Sequence, residues 1–253
     1  QNSHLWQEIT LTAISSQLEF ETRVDWHEEH AFLRVHFPLK LRAGQARFET
    51  QFGYVQRSTH NNTSYDLAQF EVPAQRWADL SEPDFGVSLL NNGKYGYSCK
   101  GNILSLSLLR APSEPDPLAD RGEHRFAYAL LPHALTAALS TVWWPAACFN
   151  QPLLLEHGRV RQDALKLAEV NAPNVVLDTI KMAEDGKGFI LRLYEAGGSA
   201  TSFILSSIAI QQAWECDLLE ENKTSLTVEN GRIKFNLLPF QIKTVRLQIQ
   251  AFV

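Results

Sequence analysis

Through much of this chain, large apolar side chains recur at every second position. In the stretch QLEFETRVDW (17–26), Leu18, Phe20, Thr22, Val24 and Trp26 fall on one face, and mainly charged or polar residues fall on the other. A strand turns successive side chains to opposite faces, so a period of two describes a half-buried antiparallel strand. HAFLRVHFPL (30–39) and ARFETQFGYVQ (46–56) behave in the same way, the latter carrying Phe48, Phe52 and Tyr54. FGVSLLNNGKYGYSCKGNILSLSLL (85–109) reads as short consecutive strands joined through Asn91-Asn92-Gly93 and Lys100-Gly101-Asn102, since Asn and Gly tolerate the positive φ of tight hairpins.

The Ala/Leu-rich stretch from about 134 to 145 predicts a helical turn stopped by Pro145. The segment 154–174 reads as a connector. Beyond it, 174–198 predicts two strands around Glu184-Asp185-Gly186-Lys187-Gly188. Further strands follow to residue 249, with another turn at Asn230-Gly231. No repeat, heptad or low-complexity tract appears. The expected architecture is all-β, with stacked sheets in two units joined near 150–172.

Composition narrows the function classes. The 253 residues, 45% hydrophobic and 20% charged, can bury a proper core. A net charge of −5 without any Lys/Arg cluster argues against a nucleic-acid partner. No apolar run is long enough to span a bilayer, and QNSHLWQEIT lacks signal-peptide character. Cys99, Cys148 and Cys216 are odd in number and far apart, which suits buried thiols in a reducing compartment. Sequons at Asn61, Asn62 and Asn222 are a weak pattern without a secretion signal. The chain begins with Gln and its one methionine is Met182, so we expect a piece of a longer protein.

Three segments carry candidate chemistry. His27-Glu28-Glu29-His30 resembles a zinc helix, but its histidines are three apart and strand alternation flanks them, so a polar turn is expected. No nucleophile elbow or phosphate-cradling glycine loop is present. The segment 56–86 interleaves Tyr65, Phe70 and Trp77 with Arg57, His60, Asn61, Asn62, Asp66 and Arg76. Aromatic faces beside planar hydrogen-bonding groups suit carbohydrate; a long inter-strand loop pinned by its own aromatics is the plainer reading. LLRAPSEPDPLADRGEHRFAYALL (108–131) gathers Glu114, Asp116, Asp120 and Glu123 beside Arg110, Arg121 and His124. Paired carboxylates serve glycoside hydrolysis, and clustered oxygens suit a hard cation, but exposed β-connections share this composition.

Three long blocks, 51–71, 76–133 and 174–198, together with WECDLLEEN and LLPFQIKTVRLQI, resemble the C-terminal β region of glycoside hydrolase family 38 α-mannosidases, most closely the cytosolic type. The resemblance covers residues 17 to 250, with Ser58 standing where proline is expected. It implies a large galactose-mutarotase-like β-sandwich, here residues 1–155, and a smaller terminal β-sandwich, residues 156–253. It also implies a retaining exo-α-mannosidase acting on mannose-containing oligosaccharides or small mannosides in the cytoplasm. In that family the catalytic nucleophile, general acid and zinc ligands lie on an N-terminal α/β catalytic domain and the region after it. No segment here matches those motifs, so no catalytic residue, metal ligand or cofactor is assigned to this chain, and zinc is expected on the catalytic domain. The 108–124 loop is then expected to face that domain. Arg110 and Asp116 are the first choices for reaching substrate, with Asp120 and Arg121 next. Self-association is an expected partner mode, through apolar surface the catalytic domain would cover. Two other readings are a stand-alone carbohydrate-binding module and a self-sufficient glycosidase pairing Asp116 with Asp120, Glu123 or Asp66.

Overall fold

The computed structural model describes residues 2–134, 140–158, 167–207, 210–221 and 223–249. Nineteen strands and two helices lie among them, and the chain divides into two compact units, 1–153 and 154–253. All pairings between named strands are antiparallel.

The first unit is a sandwich of a seven-stranded and a four-stranded sheet. The larger has the order β1 (His4–Leu11), β2 (Leu18–Trp26), β11 (Gly122–Ala134), β8 (Phe85–Asn91), β7 (Trp77–Ser81), β4 (Gln45–Thr50), β5 (Gly53–Ser58). The smaller runs β3 (Leu33–Pro38), β10 (Ile103–Leu109), β9 (Gly96–Lys100), β6 (Val72–Pro73). The alternation of residues 17–26 is realised in β2: Phe20, Thr22, Val24 and Trp26 are buried, while Glu21 and Arg23 are exposed. Phe20, Val24, Phe48, Leu80 and Leu89 meet Tyr97, Leu104 and Leu106 of the facing sheet in one core. Each such side chain contributes about 1.5–3 kcal/mol by leaving water.

The second unit is a smaller sandwich. A three-stranded sheet, β12 (Ala168–Val170), β15 (Thr201–Ser207), β18 (Arg232–Leu237), covers a five-stranded one, β13 (Val175–Met182), β14 (Phe189–Glu195), β19 (Ile242–Ile249), β16 (Ile210–Cys216), β17 (Thr224–Leu226). Strand β18 alternates without exception: Ile233, Phe235 and Leu237 are buried, and Arg232, Lys234 and Asn236 are exposed. Across the pair, Phe203 and Phe235 stack with ring centroids 5.4 Å apart.

Several local expectations change. Gly101-Asn102 closes a two-residue hairpin between β9 and β10, as its chemistry requires, with Gly101 at φ 58°. Asn91-Asn92-Gly93 does not close a hairpin: β8 and β9 belong to different sheets, and the turn carries the chain between layers. Both connections need positive φ, so composition does not separate them. Phe52 sits in the β4–β5 turn at φ 60°, rather than on a strand face. The helix expected to end at Pro145 runs through it, as α2 (Ser140–Asn150). Proline removes one early helical hydrogen bond, and burial of Val142 and Ala146 against Trp77, Leu90 and Leu131 outweighs that loss. Residues 135–139 of the predicted stretch lie outside the described residues, as do 159–166 of the predicted connector. Cys99 and Cys216 are buried free thiols, whereas Cys148 on α2 is exposed, because helical periodicity turns it away from Val142 and Ala146.

Candidate functional site

Strand register assigns each candidate segment to one end of the first sandwich. β11 begins at Gly122 opposite Trp26 and ends at Ala134 opposite Phe85. At its leading end lie loop 110–121, the 27–32 turn and the 91–95 crossover. At its trailing end lie the 39–44 crossover, the 82–84 turn, the Gly101-Asn102 hairpin and the departure of the 59–70 segment from β5. Loop 110–121 and the 59–70 segment therefore start at opposite ends of the sandwich.

Loop 110–121 passes from β10 in the smaller sheet to β11 in the larger. Asp120 braces it: one carboxylate oxygen accepts the backbone N–H of Arg110 at 3.0 Å and of Ala111 at 3.1 Å. Those two N–H bonds hold the Asp120 carboxyl below the usual carboxylate range, against a smaller opposing effect of burial. Ala111 and Asp120 take positive φ, 47° and 61°, at the two ends of the closure. The Asp120 carbonyl lies 2.8 Å from His124 Nε2. Asp116 turns inward on its own chain, accepting from the Leu118 N–H at 2.9 Å. Arg121 pairs with Glu29 of the 27–30 turn, so the expected polar turn is present and tied to the loop.

Arg110 is exposed, and among the described residues no hydrogen bond or ion pair involves its guanidinium. Of the four residues singled out, Asp116, Asp120 and Arg121 shape the loop, and Arg110 presents a free charged end. Glu123 is engaged by Arg23 and by Arg125, the latter at 2.9 Å. An acid/base pair built on Asp120 is disfavoured chemically, because a carboxyl held ionised by two N–H donors is a poor proton donor.

Sequence reading missed Lys94. Its ammonium lies 4.8 Å from the centre of the Phe126 ring. Burial lowers its pKa, and the charge of Asp120 opposes that shift. Only its position beside an Asn-Gly turn marks it in the sequence, and such a lysine looks like any other loop lysine.

The 56–86 segment divides. Trp77 is buried, and Arg76, half-buried, makes an ion pair with the buried Glu49 at 2.5 Å, so both are committed to the fold. Tyr65 and Phe70 are exposed. Thr63 caps the short helix α1 (Ser64–Ala68) in a reciprocal bond with Asp66. No group of three or more His, Cys, Asp or Glu side chains that could hold a metal ion occurs among the described residues, so the residues present do not fit a zinc centre. Nor, among them, is any helix long and apolar enough to cross a membrane.

An all-β chain of two consecutive antiparallel sandwiches is thus defined by fold. Its solved neighbours include an α-mannosidase from Enterococcus faecalis V583, with a TM-score of 0.81 and 19% identity, covering 96% of this chain and 29% of that one. Residues 1–118 match the glycosyl hydrolases family 38 C-terminal domain, and residues 174–245 match the family 38 C-terminal beta sandwich domain. Alpha-mannosidase 2C1 of Mus musculus is 46% identical over 258 residues, covering 99% of this chain and 25% of that protein. Alpha-mannosidase G of Dictyostelium discoideum is 41% identical, covering 97% and 23% respectively. The chain belongs to glycoside hydrolase family 38, within the C-terminal β region of its α-mannosidases. It spans about a quarter of the length of these relatives.

Proposed function

We propose that this chain is the C-terminal β portion of a retaining, cytoplasmic exo-α-mannosidase that releases terminal α-mannose from oligosaccharides or small mannosides. Its work is to support an N-terminal catalytic domain and to line one side of the cleft. The bond-breaking carboxylates and a zinc ion belong to that domain. The observation that carries this reading is the free guanidinium of Arg110 on a loop that Asp116 and Asp120 brace. A planar guanidinium donates paired hydrogen bonds to adjacent sugar hydroxyls or to a carboxylate of the facing domain.

The boundary between a supporting sandwich and its smaller companion is read as 155/156, and each unit has its own core in support of two domains. Strand β1 supports a homo-oligomeric mode, since it is an edge strand exposed throughout, with Leu5, Trp6, Ile9 and Leu11 on it. In the full-length enzyme carrying this chain, Arg110→Ala should lower kcat/KM by about tenfold or more, the loss of a charged hydrogen-bond pair. Unchanged kinetics would remove Arg110 from the cleft.

A further inference from the structure

We infer that the trailing end of the first sandwich carries a second, non-catalytic site for a single neutral hexopyranose residue, built between β5, α1 and β9 around Tyr65, Arg57 and Asp66. A cavity of about 150 Å³ opens there. At roughly 30 Å³ per water it holds about five, a volume on the scale of one sugar ring.

Its walls divide by chemistry. Phe48, Val72 and Cys99 line it from the core, and all three are buried. The Cys99 thiol is pushed up to about 12 by burial, so this wall stays neutral. The rim is polar. Arg57 lines the cavity with one guanidinium nitrogen held by Gln69 Oε1 at 3.1 Å, while its Nε–H is buried and has no hydrogen-bond partner. Lys100 donates to the Asp66 carbonyl at 3.1 Å and keeps two further N–H bonds to offer. The Asp66 carboxylate accepts from Thr63 Oγ1 at 2.7 Å and from the Thr63 N–H at 3.1 Å. Hydrogen bonds from Thr63 and then Ser58 lower its pKa, so it is ionised at neutral pH. The Tyr65 ring stands at the mouth with 73% of its surface exposed.

This set distinguishes between ligand classes. A small anion would meet Arg57 and Lys100 but also the Asp66 carboxylate. A pyranose offers neighbouring hydroxyls that each donate and accept, matching a carboxylate beside two cations. Its C–H faces suit both the apolar wall and the Tyr65 ring. Ser58, which departs from the proline expected by resemblance, supplies a hydroxyl to this rim that a proline would lack.

The site lies at the opposite end of the sandwich from loop 110–121, so it would hold a substrate branch or glycan chain without taking part in bond cleavage. The test is calorimetric titration of the 253-residue chain with methyl α-D-mannopyranoside, methyl α-D-glucopyranoside and inorganic phosphate. A saturable heat with at least one glycoside is expected. Tyr65→Ala and Arg57→Lys should each weaken it about tenfold, Ser58→Ala less, and Gln211→Ala, an exposed position of the second unit, not at all. Tyr65 is mostly exposed, so its variant keeps the fold, which circular dichroism verifies. Absence of glycoside binding, preference for phosphate, or full binding kept in both Tyr65→Ala and Arg57→Lys would each overturn the inference. The cleft role of Arg110 is decided separately, by turnover of the full-length enzyme carrying Arg110→Ala.

Discussion

Asp120 illustrates how a residue can look catalytic and behave as a brace. Its carboxylate closes loop 110–121 onto the N–H groups of Arg110 and Ala111. Because folding lowers its pKa, the bracing is fully present above the unfolded value of about 3.9 and is lost as pH falls through the lower folded value. The amide resonances of Arg110 and Ala111 should therefore hold steady at neutral pH and move together below about pH 4. In Asp120→Ala that shared acid titration should vanish. Persistence of the titration in the variant would mean that another carboxyl governs the loop. The sequence showed the acids of this segment but not their engagements, since a carboxylate paired with its own backbone and one facing solvent have the same local composition.

At the scale of elements, the connections are where this fold is held most specifically. In the second unit, Glu195 at the end of β14 is fully buried and accepts five hydrogen bonds. One oxygen takes Asn174 Nδ2 at 2.8 Å and the Gly197 N–H at 2.7 Å. The other takes the N–H groups of Gly198, Ser199 and Phe240 at 2.8, 3.1 and 3.0 Å. This single carboxylate joins the 196–200 turn, the 238–241 turn and the segment entering β13. Glu195→Gln turns one acceptor oxygen into a donor facing N–H groups, and should cost about 1–3 kcal/mol in chemical denaturation. A change within a few tenths of a kcal/mol would mean that these turns hold themselves. The convergence of donors from two distant turns on the end of β14 was not legible in sequence. Pro145 teaches the complementary lesson, since a local rule against proline yielded to the tertiary burial of Val142 and Ala146.

For the whole molecule, the supporting role proposed above predicts that the two sandwiches supply surfaces and loops to a reaction centre on the catalytic domain. Among the described residues no metal-holding group converges, and Asp116, Asp120 and Glu123 are engaged by backbone or basic side chains. The 253-residue chain alone should therefore release no p-nitrophenol from p-nitrophenyl α-mannoside, with or without added zinc. Release above the uncatalysed rate would show that the chain is itself a glycosidase and would displace the supporting role proposed for it.

The sequence by itself determined that this protein is all-β, which face of β2 is buried, and that positive-φ turns fall at Gly93, Gly101 and Gly231. Alternation in β2 and β18 states directly which side chains leave water, because a strand's period is fixed by covalent geometry. Only the tertiary structure decided which sheet each strand joins, and so that Asn91-Asn92-Gly93 crosses between layers while Gly101-Asn102 folds back within one. It likewise decided that loop 110–121 and the Tyr65 segment stand at opposite ends of one sandwich. Strand pairing depends on contacts between residues far apart along the chain, and no local pattern records them.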